Sequence, residues 1–188
     1  MFENVKMKPV WSAVISEYMQ VPSVEINSSC VSAQNRERLY WTNINFNLPL
    51  DRGITLADVL DLDMPFLKTD KKFKPKRNQH KASTLTGGAH SGGNHSEMDI
   101  IIYQVPRGKN DGGYARATKA PTITSSRWEQ NNFILFSEFS YRRYSPVECE
   151  RLQTVPEGYT AHVSNTQRYK MLGNGWTVDV IASIFAGL

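Results

Sequence analysis

Two arginines one residue apart, Arg36 and Arg38 in QNRERLYW, are well equipped to hold a planar polar ligand. Their charge is permanent, and each guanidinium is a flat fork of donors that can meet a carboxylate and a carbonyl oxygen together. Strand alternation would send Arg36, Arg38 and Tyr40 to one face, with the guanidinium groups rooted about 6.6 Å apart, two strand rises. Solvated arginines on an edge strand are the plainer alternative. In PTITSSRWEQNNF, Thr124, Ser126, Arg127 and Asn131 offer the donors and acceptors that groove readout of DNA needs, with Arg127 the first choice for a base edge. Runs of Thr and Ser also make ordinary turns. A third group is the GNGW turn at residues 173–176, between two helix patterns, where unpaired amides at the start of the second helix could receive a carboxylate. A helix break with a core tryptophan is the bland reading there.

Other chemistry is poorly supported. Cys30 and Cys149 have no Cys-x-x-Cys spacing, so they make neither a disulfide framework nor a zinc site, and both are read as free, packed thiols. His90 and His95 stand in a Gly-rich stretch without a cysteine nearby and are read as loop residues; no metal site is expected. The net charge of +4 suits a polyanion partner without requiring one. Residues 68–81 concentrate that charge, with six lysines and one arginine against one aspartate, and Pro75 discourages a regular helix there. Such a segment implies DNA binding that weakens steeply with salt. Hydrophobic residues at 40% and charged residues at 21% argue for a folded domain and against disorder.

The elements that must position these groups are legible in part. Residues 1–5 end a strand, and Val10, Ala13, Val14 and Tyr18 recur at helical spacing before Pro22. Val24 and Ile26 alternate with polar neighbours, and a polar turn at 27–29 leads through Cys30 to a strand ending near Ile44, so a hairpin at a sheet edge is expected. From 45 to 139 the texture turns to Gly, Pro, Ser, Thr and Asn, which reads as a loop-rich lobe with one short helix at 55–62, capped by Thr55 and Asp58. KASTLT at 81–86 is echoed by KAPTIT at 119–124, too briefly for a solenoid. Ser145, Pro146 and Glu148 then start a capped helix that stops before Pro156, and Ser164 with Gln167 start another that stops at Gly173. Val178, Ile181, Ile184, Phe185 and Leu188 form the apolar stripe of a final core helix, too short to span a bilayer.

Motif order joins these pieces. FENV at residues 2–5, QNRER at 34–38, ECERLQTVP at 148–156 and LGNGWTVDV at 172–180 together resemble the later motifs of DNA cytosine-5 methyltransferases of bacterial or phage type, in that family's order. The ending is also similar to that of the animal de novo methyltransferases, which share a tryptophan at the position of Trp176. The resemblance implies an α/β fold: the C-terminal part of a Rossmann-like S-adenosylmethionine-dependent methyltransferase sheet with an inserted loop-rich target-recognition lobe. Residues 1–44 and 140–188 would belong to the catalytic domain and 45–139 to the recognition region.

It implies, further, that a cytosine is flipped out of double-stranded DNA, attacked at carbon 6 by a cysteine thiolate and methylated at carbon 5. Glu3 would hydrogen-bond ring nitrogen 3 and the amino group of that cytosine. Of Arg36 and Arg38, one would hold the carbonyl oxygen and the other orient the glutamate. Asn174, Gly175 and Trp176 would line the S-adenosylmethionine pocket, and the recognition loop would begin near Thr124. The family's Gly-rich donor loop and Pro-Cys nucleophile have no counterpart in the sequence, and no proline precedes Cys30 or Cys149. A complementary N-terminal half is therefore the expected partner; a non-catalytic DNA-binding remnant and a shortened methyltransferase are the alternatives. No signal-peptide pattern opens the sequence, so a cytoplasmic protein with no membrane partner is expected.

Overall fold

The computed structural model describes residues 1–61, 67–68, 101–104, 111–116, 118–124, 132–137 and 140–188. β1 (Phe2–Val5), β2 (Ser23–Asn27) and β3 (Glu37–Trp41) form an antiparallel sheet in the order β1-β3-β2. Opposed residues share a face. Tyr40 opposes Glu3 and Val24, while Arg38 opposes Val5 and Ile26, so these six side chains project from one side of the sheet. On that side Ile26 and Tyr40 pack with Val180, Ile181 and Ile184 of the last helix, α5 (Val178–Phe185). On the other, the Trp41 indole donates to Ser16 Oγ at 2.8 Å, which ties down α1 (Pro9–Met19). The sheet lies between helices, and its middle strand, buried at Leu39, Tyr40 and Trp41, meets one of them on each face.

Two expectations shift here. β2 and β3 are antiparallel neighbours as the hairpin reading requires, but β3 is central, because β1 pairs with its outer side. β3 also starts at Glu37 and ends at Trp41, so Arg36 precedes it and Ile44 lies beyond it. α1 forms where its pattern predicts a helix, with Pro9 in the first turn, and ends with Gln20 in the left-handed region at φ 54°. None of its residues is buried, and Val10, Trp11, Val14 and Tyr18 face solvent.

The described parts of the middle region include strands that its composition does not announce. The short helix appears as α2 (Leu56–Val59), with the Thr55 and Asp58 capping box in place. Strands of this region join one that follows it in a five-stranded antiparallel sheet in the order β4-β8-β7-β5-β6, made of β4 (Leu67–Lys68), β5 (Ile101–Gln104), β6 (Gly113–Arg116), β7 (Asn132–Ser137) and β8 (Ser140–Arg143), while much of the expected loop-rich lobe lies outside the described residues. Most of its strands are four residues or fewer, and β4 finds its partner some seventy residues later, Leu67 opposite Tyr141. Pairing of that kind is absent from any local window of sequence. Ile102 and Ile134 of this sheet share one buried cluster with Leu56, Val59, Leu152 and Leu172.

Two more helices, α3 (Pro146–Leu152) and α4 (Asn165–Asn174), carry the caps read from the sequence: Ser145 Oγ accepts from Glu148 N and Ser164 Oγ from Gln167 N. α4 runs one residue past Gly173, which is thus inside the helix. In α5, Val180, Ile181 and Ile184 are buried while Val178, Phe185 and Leu188 are exposed, so the apolar stripe is narrower than its five expected members. Leu188 lies beyond the last helical residue and no longer follows the helical repeat. No helix among the described residues is long and apolar enough to cross a membrane.

Candidate active site

β1 and β3 bring the first carboxylate and one arginine together. The alternation of FENV places Glu3 on the face carrying Arg38, one register step away, and Arg38 Nε meets Glu3 Oε1 at 3.1 Å. Both side chains are 15% exposed, enclosed enough for the pair to keep its geometry and open enough to be reached. Arg38 also donates from Nη1 to its neighbour's carbonyl, Glu37 O, at 2.7 Å, which fixes the guanidinium plane. Beside Arg38 opens a hollow of about 380 Å³, whose wall includes Asn27 and Asn35 and, from the PTIT loop, Thr122.

Arg36 goes elsewhere. It is buried, and its guanidinium donates to three backbone carbonyls: Nη1 to Ile123 O at 3.1 Å, and Nη2 to Gly175 O at 2.9 Å and Gly173 O at 3.4 Å. Burial is the main force drawing its pKa down to about 10; the nearby Arg38 charge adds to this and Glu3 opposes it. The two arginines therefore do not converge on one ligand. Arg36 precedes the strand, where alternation no longer sets its direction, and the carbonyls ending α4 draw it inward.

The PTIT loop is fastened to the QNRER segment by its backbone. Ala120 N donates to Ala33 O at 2.6 Å, Asn35 N to Ala120 O at 2.7 Å and Thr122 Oγ1 to Asn35 O at 2.6 Å. Thr124 follows, half-buried. Ser126, Arg127 and Asn131, like most of the lysine-rich segment, KASTLT, His90 and His95, lie outside the described residues.

At the GNGW turn, Asn174 is exposed, Gly175 half-buried and Trp176 49% exposed, so the tryptophan is a surface residue and no core one. The amides expected to be open at the start of α5 are taken: Val178 N donates to Gln153 O at 3.0 Å and Asp179 N to Thr154 Oγ1 at 2.9 Å. The ERLQTVP segment folds its C-terminal turn over the helix start and fills the place a carboxylate would need. A Cβ on Gly175 would stand 3.1 Å from Met171 O, so a side chain there would crowd the turn.

The sequence reading assigned no role to several residues that hold this region. Gln153 Nε2 donates to Leu172 O at 2.5 Å, its Oε1 accepts from Thr177 Oγ1 at 3.0 Å, and Ser28 Oγ donates to Thr177 Oγ1 at 2.8 Å. This buried polar chain runs from the turn after β2, through α3, to the ends of α4 and α5. Glu150, also buried, accepts from Gly158 N, from Thr160 N and Oγ1, and from Arg168 Nη2. Burial by itself raises its pKa, but these four donors outweigh it and hold the carboxyl down to about 2. The available signal was two polar residues, Glu150 and Gln153, around Leu152 on a short capped helix. Gln34, in the QNRER segment, is fully buried with neither end of its side-chain amide hydrogen-bonded among the described residues.

Neither thiol is built to attack. Cys30 Sγ donates to Asn27 O at 3.0 Å and burial raises its pKa; Cys149 is buried and pushed far above the usual thiol range, by burial first and by Glu148 and Glu150 next. A thiolate is the nucleophilic form, and both sites disfavour it.

Comparison with known proteins agrees with the motifs. The model of the family described as C-5 cytosine-specific DNA methylase matches residues 26–188. Orphan methyltransferase M.SPBetaI of Bacillus phage SPbeta is 40% identical over 117 residues, covering 56% of this chain and 26% of the relative. Type II methyltransferase M.SsoII of Shigella sonnei is 26% identical over 80% of this chain and 39% of the relative, and type II methyltransferase M.HhaI of Haemophilus parahaemolyticus 25% identical over 80% and 47%. The chain thus spans about a quarter to a half of the length of these curated relatives. Because the family match runs over residues 26–188, far more than half of the sequence, the chain belongs to the C-5 cytosine-specific DNA methylase family.

Proposed function

We propose that this chain supplies the base-holding and DNA-recognition half of an enzyme that methylates carbon 5 of a flipped cytosine in double-stranded DNA, and that a complementary N-terminal portion carrying the Gly-rich loop and Pro-Cys supplies the nucleophile. The observation that carries this reading is the Glu3–Arg38 pair, held at 3.1 Å, whose arginine also lines a hollow of about 380 Å³. A base must leave the stack to reach such a pair. Glu3 hydrogen-bonds ring nitrogen 3 and the amino group, relieving the charge that develops as the thiolate adds at carbon 6. Arg38 would orient that carboxyl and, from the wall of the hollow, hold the cytosine carbonyl oxygen with its remaining N–H groups.

S-adenosylmethionine, when bound, supplies an electrophilic methyl group. The exposed Trp176 indole and Asn174 amide suit the adenosine side of such a donor, and Gly175 keeps the turn free of a side chain. Its carboxylate has no place at the start of α5, where the amides are already bonded, and so falls to the complementary half. The recognition region, proposed at 45–139 between catalytic portions at 1–44 and 140–188, would meet DNA through Thr124, Ser126, Arg127 and Asn131. The protein would work in the cytoplasm of a bacterium or phage-infected host.

Docking of the complementary half has physical support. β1 is an edge strand, and the apolar stripe of α1 lies open beside it. The test is reconstitution: this chain alone should transfer no methyl group to DNA, and mixing with a family N-terminal half should restore methylation at carbon 5 of cytosine. Methylation by the isolated chain with Cys30 and Cys149 both changed to serine would overturn the division of labour. Association and binding of both DNA and donor without any methylation would overturn the active-site assignment.

A further inference from the structure

A helix leaves its last carbonyls without partners inside the helix and its C-terminus partly negative. In α4 buried side chains meet this need: Gln153 serves Leu172 O, and Arg36 Nη2 serves Gly173 O and, just past the helix, Gly175 O. The other arm of the same guanidinium serves Ile123 O in the PTIT loop. Arg36 is only 5% exposed, and its side-chain hydrogen bonds among the described residues go to these carbonyls and to no carboxylate. A planar fork can span two segments in this way; an ammonium on a flexible stem cannot hold both in fixed geometry. The main chain of Arg36 is itself anchored, its N–H donating to Asn27 Oδ1 at 3.0 Å and its carbonyl accepting from Ser28 N at 3.1 Å.

We infer that Arg36 is a positioning residue that holds the 173–176 turn and the PTIT loop in one fixed relation, so that the segments facing the methyl donor and the DNA share a single guanidinium. The ligand part of this inference rests on the proposed function above; the mechanical part does not. Losing the fork should loosen both segments together and weaken both ligands together, without touching the group that acts on the base.

The mechanical part is tested on the chain alone by hydrogen exchange. Arg36→Met should speed exchange about tenfold or more at Ala120 and at Gly175 in parallel, the effect of losing hydrogen bonds from a charged donor, while Lys6→Met, which removes an exposed cation, should change neither. Arg36→Lys keeps the charge near α4 but not the span, and should loosen one segment more than the other; it also serves if the Met variant does not fold. Exchange unchanged at both sites, or raised throughout the chain alike in both variants, overturns the inference.

The ligand part is tested in the reconstituted pair. Arg36→Met should raise KM for donor and for DNA by roughly tenfold each, and Arg36→Lys should raise one more than the other, with kcat in both variants within about threefold of the parent, the pattern of lost binding rather than lost chemistry. Coupled exchange with both KM values unchanged in a methylating pair overturns the shared-ligand part. A pair that never methylates refutes the functional reading instead, and leaves the exchange result to decide the mechanical one.

Discussion

Glu3 and Glu150 show how differently two carboxylates of one chain are employed. Glu3 is reachable and paired with one arginine, whereas Glu150 is enclosed and surrounded by donors from a single loop and helix. In the reconstituted enzyme Glu3→Gln should lower turnover roughly a hundredfold while DNA affinity stays near the parent's, as when an acid acting only in the transition state is lost; unchanged turnover in steady-state assays would remove Glu3 from the mechanism. Glu150 belongs to stability. Its pKa falls from an ordinary 4.5 to about 2 on folding, so the stabilisation is fully present above pH 4.5 and is lost as pH drops through about 2. Melting of the parent and of Glu150→Gln should therefore differ most near neutrality and converge in acid. A constant gap from pH 7 to pH 2 would contradict this.

α3 shows that a sequence signal can be correct and still understate what an element does. Ser145, Pro146 and Glu148 announce its start, and the capping box forms. Glu148 does more than cap, because its carboxylate is fully buried and takes both arms of Arg142 of β8 at 2.7 Å while accepting from Asp61 N at 2.8 Å. Cap and buried pair thereby fasten the five-stranded sheet to the helices. Ser145→Ala should cost about 1 kcal/mol, the usual loss of a cap, whereas Glu148→Ala should cost about 3 to 5 kcal/mol because it strands a buried guanidinium. Denaturant titration separates the two, and similar losses would mean that the pair adds nothing beyond the cap.

The whole molecule is asymmetric in what it covers. α5 buries its stripe against β2 and β3, while α1 leaves Val10, Trp11, Val14 and Tyr18 in solvent near the edge strand β1. If the complementary half covers that side, Trp11→Lys should weaken association by about tenfold or more, as loss of a buried aromatic anchor does, and leave the melting temperature of the chain alone almost unchanged. Equal affinity of parent and variant in a titration of the two halves would place the docking surface elsewhere.

What the sequence determined by itself is local or held in motif order: the caps at Thr55, Ser145 and Ser164, the first strand and helix, and the family. Each depends on neighbours a few residues apart or on a short repeat, where side-chain direction is fixed by backbone geometry. The tertiary structure alone decided the five-stranded sheet, the central place of β3, the paired amides before α5 and the inward turn of Arg36. These depend on contacts such as Leu67 with Tyr141 or Arg36 with Gly175. Burial, and not spacing, then chooses the partner, since an enclosed donor or acceptor must find one wherever the chain brings it.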